Sequence, residues 1–225
     1  MLLYICRHGQ TDHNLRGIIQ GQLDTPLNDH GRFEARRLAQ ALAKVHFDEA
    51  YTSPLSRACA TADAILARHP EVKLCADPLI KERGLGSMEG RRRLRGERAP
   101  PDAESHADLT KRTWKWLSGL LKTHSRSQPL SNDLTPESID TPTVLVVSHG
   151  AWIGSLINVL LSRPIASTLA PGVDLDAHLL NTCVIKVRLW QDEKRWRGEI
   201  IDYGNLDHLK DVEEPDLEIA DDVKD

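Results

Sequence analysis

The chain reads as a three-layer α/β/α sandwich around a mainly parallel sheet. Three observations predict this. Leu2–Cys6 and Thr143–Ser148 are short, continuously apolar runs, the pattern of strands buried on both faces of a helix-covered sheet. Segments with apolar residues at helical spacing alternate with such runs along the chain. A histidine closely follows each of the two clearest runs, His8 after the first and His149 after the second. In sheets of this class ligands bind beyond the carboxyl ends of the strands. The fold class therefore brings two histidines from distant parts of the chain to one sheet edge.

The elements come in order along the chain. After the first strand, 9–29 is polar, contains glycine and reads as loop. A helix should start near Asn28, a good cap, with Leu38, Leu42 and Val45 on its apolar face. A brief strand is expected at Glu49–Thr52. Ser53-Pro54 then reads as a cap followed by proline at the first helical position, opening a helix to about Arg68. Val72–Cys75 fits a further strand, and 81–98, rich in glycine and arginine, reads as loop. Leu109, Trp116, Leu117, Leu120 and Leu121 mark a helix over about 104–123. The Ser-, Pro-, Asn- and Asp-rich stretch 125–142 predicts a mobile surface loop. A helix follows His149-Gly150 to about Leu161, and strands are expected at 182–190 and 197–202. We read residues 1–210 as one domain and 211–225 as an acidic, flexible tail.

Composition narrows the function classes. With 40% hydrophobic and 28% charged residues, 225 residues make an ordinary globular chain with one core. The last fifteen residues hold eight acids against one lysine, so the net charge of −4 hides a weakly basic body of about +3. That suits a small anionic substrate and is too little for nucleic acid. Cys6, Cys59, Cys75 and Cys183 show no CxxC pairing, and Cys6, Cys75 and Cys183 lie in apolar runs that read as core in a reducing compartment. No run approaches a membrane span, so a cytoplasmic location with no membrane partner is the expectation. The ten histidines show no HxH or HExxH spacing, and no metal or other cofactor is expected.

Arg7-His8-Gly9 alone is as easily structural as chemical. Ser53-Pro54-Leu55-Ser56-Arg57 places Arg57 in the first turn of a helix that comes after a strand, at the same sheet edge. Two arginines, two histidines and a helix N-terminus in one place make an anion site. Guanidinium groups grip phosphate oxygens bidentately and keep their charge.

These blocks resemble the histidine phosphatase (phosphoglycerate mutase-like) superfamily. RHGQTDHN at Arg7–Asn14, SPLSRA at Ser53–Ala58, ERGLGSMEG at Glu82–Gly90 and SHG at Ser148–Gly150 are similar to its blocks, in its order, over about residues 2–160. The resemblance implies a phosphoglycerate mutase-like fold and a role for each matching residue. His8 would be the nucleophile, with one ring nitrogen held by a backbone carbonyl and the other free to attack phosphorus. Arg7, Arg57 and His149 would bind the transferring phosphoryl group, with Asn14 as a further donor. Glu82 would protonate the leaving oxygen and then take a proton from water. Gln20, Gly21, Arg83 and Gly150 would contact substrate. The run Arg91, Arg92, Arg93, Arg95 and Arg98 reads as a solvated charge run, with a second phosphate contact as the alternative.

Within the superfamily the sequence is similar to TIGAR-type fructose-2,6-bisphosphatases in VLVVSHGAWI, NLDHL and PDAESHADLTKR. The resemblance implies a metal-independent phosphatase acting on a small sugar phosphate or bisphosphate, as monomer or homodimer. Two alternatives stand beside it. One is a phosphoglycerate mutase, suggested by the Glu82-Arg83 pair and opposed by the short path from Gly90 to Glu104. The other is a protein-phosphatase or binding member.

Overall fold

The computed structural model describes residues 1–125, 141–163, 165–193 and 195–210. Most of the predicted loop at 125–142 and the whole acidic tail lie outside the described residues. Among the described residues no helix is long and apolar enough to cross a membrane.

One seven-stranded sheet runs through the molecule in the order β3-β2-β4-β1-β6-β7-β5. Its strands are β1 (Leu2–Arg7), β2 (Glu49–Thr52), β3 (Leu74–Ala76), β4 (Thr143–Ser148), β5 (Ala166–Leu169), β6 (Val184–Asp192) and β7 (Arg195–Asn205). All neighbours pair in parallel except β1 with β6 and β6 with β7, so β6 alone runs against the rest. The sheet is mixed but mainly parallel, as the buried apolar runs predict.

Helices cover both faces. They are α1 (Asp12–Leu15), α2 (Asp29–Leu42), α3 (Ser56–Leu66), α4 (His106–Thr123) and α5 (Gly150–Ser162). Side chains alternate across a strand. Leu3, Ile5, Val144 and Val146 therefore pack with Trp116, Leu117, Trp152 and Leu156 of α4 and α5. Cys6, Leu145 and Val147 pack on the other side with Leu38, Leu42, Ala58 and Ile65 of α2 and α3. Trp152 is fully buried and meets Trp116 edge-on, ring centroids 5.3 Å apart.

This layering positions the site. β1 and β4 are parallel neighbours, with Arg7 opposite Ser148. The chain leaves β1 toward the α2 face and leaves β4 toward the α5 face. The two exits diverge and open a crevice at the carboxyl ends of the two central strands, the switch point where α/β sheets bind ligands.

Several elements differ from expectation. The predicted loop 9–29 contains α1, closed by a reciprocal cap: Asn14 N donates to Thr11 Oγ1, and Thr11 N donates to Asn14 Oδ1. Ser53-Pro54 does not start α3. Ser53 Oγ accepts from Leu55 N across a turn, and the helix begins at Ser56, whose N–H is capped by Asp24 from the preceding loop. That cap is 32 residues away in sequence, so local pattern could not show it. β5 is not among the strands expected from the sequence; it is a short edge strand paired only with β7. Cys6 and Cys183 are buried as expected, but Cys75 is exposed because β3 is the other edge strand. Trp114 of α4 is partly buried against the core, with the Arg163 guanidinium stacked on it 4.0 Å from the ring centroid.

Candidate active site

Backbone contacts from three directions fix His8. Its N–H donates to Ser148 O of β4, and its carbonyl accepts from Asn181 Nδ2 (2.9 Å) and Thr182 N. The next N–H, of Gly9, donates to Thr61 Oγ1 of α3 at 3.0 Å. The loop is drawn tight against α2 by two glycines. A Cβ on Gly9 would meet Gly31 O at 2.5 Å, and one on Gly31 would meet Gln10 O at 2.0 Å.

The ring of His8 has one possible tautomer in this setting. Nδ1 lies 2.7 Å from Gly9 O, and a carbonyl can only accept, so Nδ1 carries the proton. Nε2 accepts from Arg57 Nε at 3.3 Å and so presents its lone pair. Burial, then the charges of Arg57 and Arg7, hold the imidazole well below its usual range and keep it neutral. A neutral imidazole with a directed lone pair is a nucleophile in waiting.

Cationic and donor groups surround that lone pair. Arg57 is 1% exposed. Its NH1 donates to Leu23 O (2.7 Å) and its NH2 to Gly21 O (2.8 Å), so the 21–25 loop grips the far end while Nε faces His8. Arg7 donates through NH1 to Leu179 O, and its buried Nε has no hydrogen-bond partner among the described residues. His149, fully buried, has its ring 5.0 Å from that of His8, and among the described residues neither of its nitrogens has a hydrogen-bond partner. Burial first, then Arg57, His8 and Arg7, hold His149 well below its usual range. Buried polar atoms are nearly always satisfied. The unsatisfied Arg7 Nε and the one His149 nitrogen that carries the proton of the neutral ring are donors for an anionic group bound here.

Glu82 closes the crevice from the other side. It is 5% exposed. Its carboxylate accepts from Arg83 N (2.7 Å) and, at the start of α5, from Ala151 N and Trp152 N (3.2 Å each). The free N–H groups of α5 therefore hold a side chain of this protein. The segment carrying Glu82 is braced by Arg112. That guanidinium donates to Leu79 O, Lys81 O and Glu82 O and pairs with Glu104 at 2.6 Å. Trp152 Nε1 adds a bond to Leu79 O.

The remaining predicted residues spread around this centre. Asn14 is buried in the α1 cap. Gln20 is 2% exposed and its Oε1 accepts from the hydroxyls of Thr11 and Thr25. Gly21 has φ +48° and supplies the carbonyl that holds Arg57; a Cβ there would strike the Glu89 carboxylate. Gly150 is the first residue of α5. Arg83 is engaged elsewhere, its Nε on Glu104 O and its NH1 beside His106 Nε2. In the arginine run Arg91 makes a two-pronged pair with Glu97, and Arg93 donates to Glu97 O; Arg92, Arg95 and Arg98 are exposed. Sequence reasoning missed Thr61, Arg112, Asn181 and Thr182. Only Arg112 left a trace, a cation placed among apolar helix positions; the others act on backbone atoms, which carry no residue signature. Among the described residues no three His, Cys, Asp or Glu side chains cluster as metal ligands would.

Comparison with known proteins shows the family and the fold. The family profile described as histidine phosphatase superfamily (branch 1) matches residues 3–199. The zebrafish (Danio rerio) fructose-2,6-bisphosphatase TIGAR B is 30% identical over 67% of this chain and 71% of its own. A 2,3-bisphosphoglycerate-dependent phosphoglycerate mutase of Bartonella bacilliformis is 32% identical over 70% of this chain and 80% of its own. The solved structure of a mycobacterial glucosyl-3-phosphoglycerate phosphatase with VO3 superposes with a TM-score of 0.69 at 25% identity, covering 88% of this chain and 96% of that one. The fold is thus phosphoglycerate mutase-like, and the chain belongs to the histidine phosphatase superfamily, branch 1, as a hydrolase of that superfamily.

Proposed function

We propose that the protein hydrolyses a small phosphorylated metabolite through a phosphohistidine on His8. The observation that carries this reading is the directed lone pair of His8 Nε2, set beside Arg57 and among the unpartnered nitrogens of Arg7 and His149. Nε2 attacks phosphorus, and the P–O ester bond breaks in line. The leaving oxygen takes a proton from Glu82, which must enter this step protonated; the charge of a bound phosphate beside it favours that form. Arg7, Arg57, His149 and Asn14 donate to the equatorial oxygens, where charge builds. Water then gives a proton to the Glu82 carboxylate and attacks phosphorus. The P–N bond breaks, phosphate leaves, and His8 recovers its lone pair. Gln20, Gly21 and Gly150 line the approach in this reading; Arg83 joins them only by leaving Glu104 O and His106. No metal or cofactor takes part.

Hydrolysis is favoured over phosphoryl return to substrate by the segment between Gly90 and Glu104. It is short, and most of it is exposed, so it forms no thick cover that would shield phosphohistidine from water. Fructose-2,6-bisphosphate is the substrate we propose first, supported by the likeness to TIGAR-type enzymes and by the exposed arginines Arg92, Arg95 and Arg98, whose charge suits a second phosphate. We place the enzyme in the cytoplasm on its free thiols.

The test is a panel of fructose-2,6-bisphosphate, 2,3-bisphosphoglycerate, 3-phosphoglycerate, phosphoenolpyruvate and p-nitrophenyl phosphate, read for released phosphate alongside a coupled mutase assay. Phosphate release from a bisphosphate above all others is expected. Mutase turnover well above phosphate release would overturn the hydrolase reading.

A further inference from the structure

Glu34 lies in α2, on the opposite side of the His8 loop from the crevice, and is 1% exposed. Its Oε2 accepts from Gln10 N at 2.6 Å. That N–H belongs to the same peptide unit as the Gly9 carbonyl, which accepts from His8 Nδ1 at 2.7 Å. Carboxylate, peptide and imidazole therefore form one chain of hydrogen bonds. The two ends of a trans peptide point in opposite directions, so the carboxylate and the ring pull on one dipole from both sides. A negative charge on the N–H side makes the carbonyl a stronger acceptor, because linked hydrogen bonds polarise one another.

We infer that Glu34 is a positioning residue that acts on His8 through the Gly9–Gln10 peptide, making Nε2 more nucleophilic and stabilising the positive ring of phosphohistidine. The arrangement does with a peptide in the middle what a carboxylate bonded directly to a catalytic histidine does. It rests on the reading of His8 as nucleophile. Local sequence builds it: Gly31, one turn before Glu34, lets α2 approach the loop closely enough for the bond to form.

The charge environment fits. Among the described residues the charged or titratable groups at Glu34 are His30, whose Nε2 is 3.4 Å away on the same helix, and Arg7 on β1. Burial outweighs them and pushes the Glu34 carboxyl up to about 7. Between its ordinary 4.5 and about 7 the folded protein holds a proton that the unfolded chain has released, so stability falls as pH rises across that window.

The test is Glu34→Gln, which keeps an oxygen for Gln10 N and removes the charge. We expect kcat to fall about ten- to hundredfold, as when a carboxylate behind a functional histidine is lost, with KM little changed. We also expect Tm a few degrees above wild type at pH 8 and no gain at pH 5. In 15N NMR of the free enzyme, the His8 Nδ1–H resonance should move with pH through a midpoint near 7 in wild type and stay fixed in the variant. That titration needs no variant, so it decides the matter even if Glu34→Gln does not fold. An Nδ1–H signal that ignores pH in wild type, or a variant with wild-type kcat, would overturn the inference. The NMR readout is independent of turnover; failure to trap phosphohistidine would instead count against His8 as nucleophile.

Discussion

The ends of β1 and β4 are the same place in the fold, built twice. The strands are parallel neighbours in register, and each leads at once into a buried histidine. Yet the two rings end in opposite states. Both nitrogens of His8 are engaged, by Gly9 O and by Arg57. Among the described residues neither nitrogen of His149 is engaged. The difference comes from the path the chain takes beyond each histidine. After His8 it turns back in a tight loop against α2, and its own carbonyl meets the ring. After His149 it enters α5 directly, and the helix spends its first N–H groups on Glu82. A ring with a fixed tautomer and a directed lone pair can attack. A ring with empty positions can donate to an incoming anion. Position on the sheet made both histidines candidates; hydrogen bonds set the two rings apart.

Substitutions should separate the two. His8→Ala removes the attacking atom, and we expect turnover to fall by about four orders of magnitude or more, with no covalent labelling. Glu82→Gln removes the proton at nearly the same shape and leaves one oxygen to accept where two now serve Arg83, Ala151 and Trp152 N–H. It should slow alkyl phosphates by about 10²–10³ and p-nitrophenyl phosphate far less. Equal losses on both substrates would show that Glu82 is not the acid. His149→Ala should cost about 10² in kcat, the scale of one lost transition-state donor. Because it leaves the Gly9 and Arg57 contacts in place, His8 should still be labelled, slowly. Absence of any labelling would erase the distinction drawn between the two rings.

The smallest effect is on stability. Burial holds His8 and His149 well below the ordinary 6.5, and His208 at about 4. Below about 6.5 the unfolded chain gains protons at these positions and the folded protein does not, so stability should fall as pH drops. The slope approaches about 1.4 kcal/mol per pH unit for each group. Glu34 opposes this over part of the range, but three groups outweigh one. Thermal melts from pH 7.5 to 5 should show a falling Tm, and a shallower fall in His149→Ala. A flat profile would mean that these rings are charged in the folded protein.

The fold class and the central residues were legible because their signals are local. A strand buried on both faces must be apolar, and five such residues in a row at Leu2–Cys6 admit few other readings. The switch point emerged from the alternation of strands and helices, and it placed His8 and His149 before any distance was known. The features that escaped are non-local or backbone-borne. The start of α3 depends on Asp24, and the geometry of His8 depends on carbonyls of Gly9 and Ser148 that any residue type would supply. Glu34 reads as one more polar residue of an amphipathic helix; only the three-dimensional path through the Gly9–Gln10 peptide distinguishes it.

The mechanism stands on His8 carrying the phosphoryl group, and rapid-quench trapping reads that step itself. The enzyme is mixed with phosphate-labelled substrate, stopped within milliseconds, digested and mapped. We expect one acid-labile, base-stable label, on the peptide holding Arg7-His8-Gly9, formed and lost at rates compatible with turnover. A label on any other residue, or full turnover with no label on His8, would contradict the mechanism.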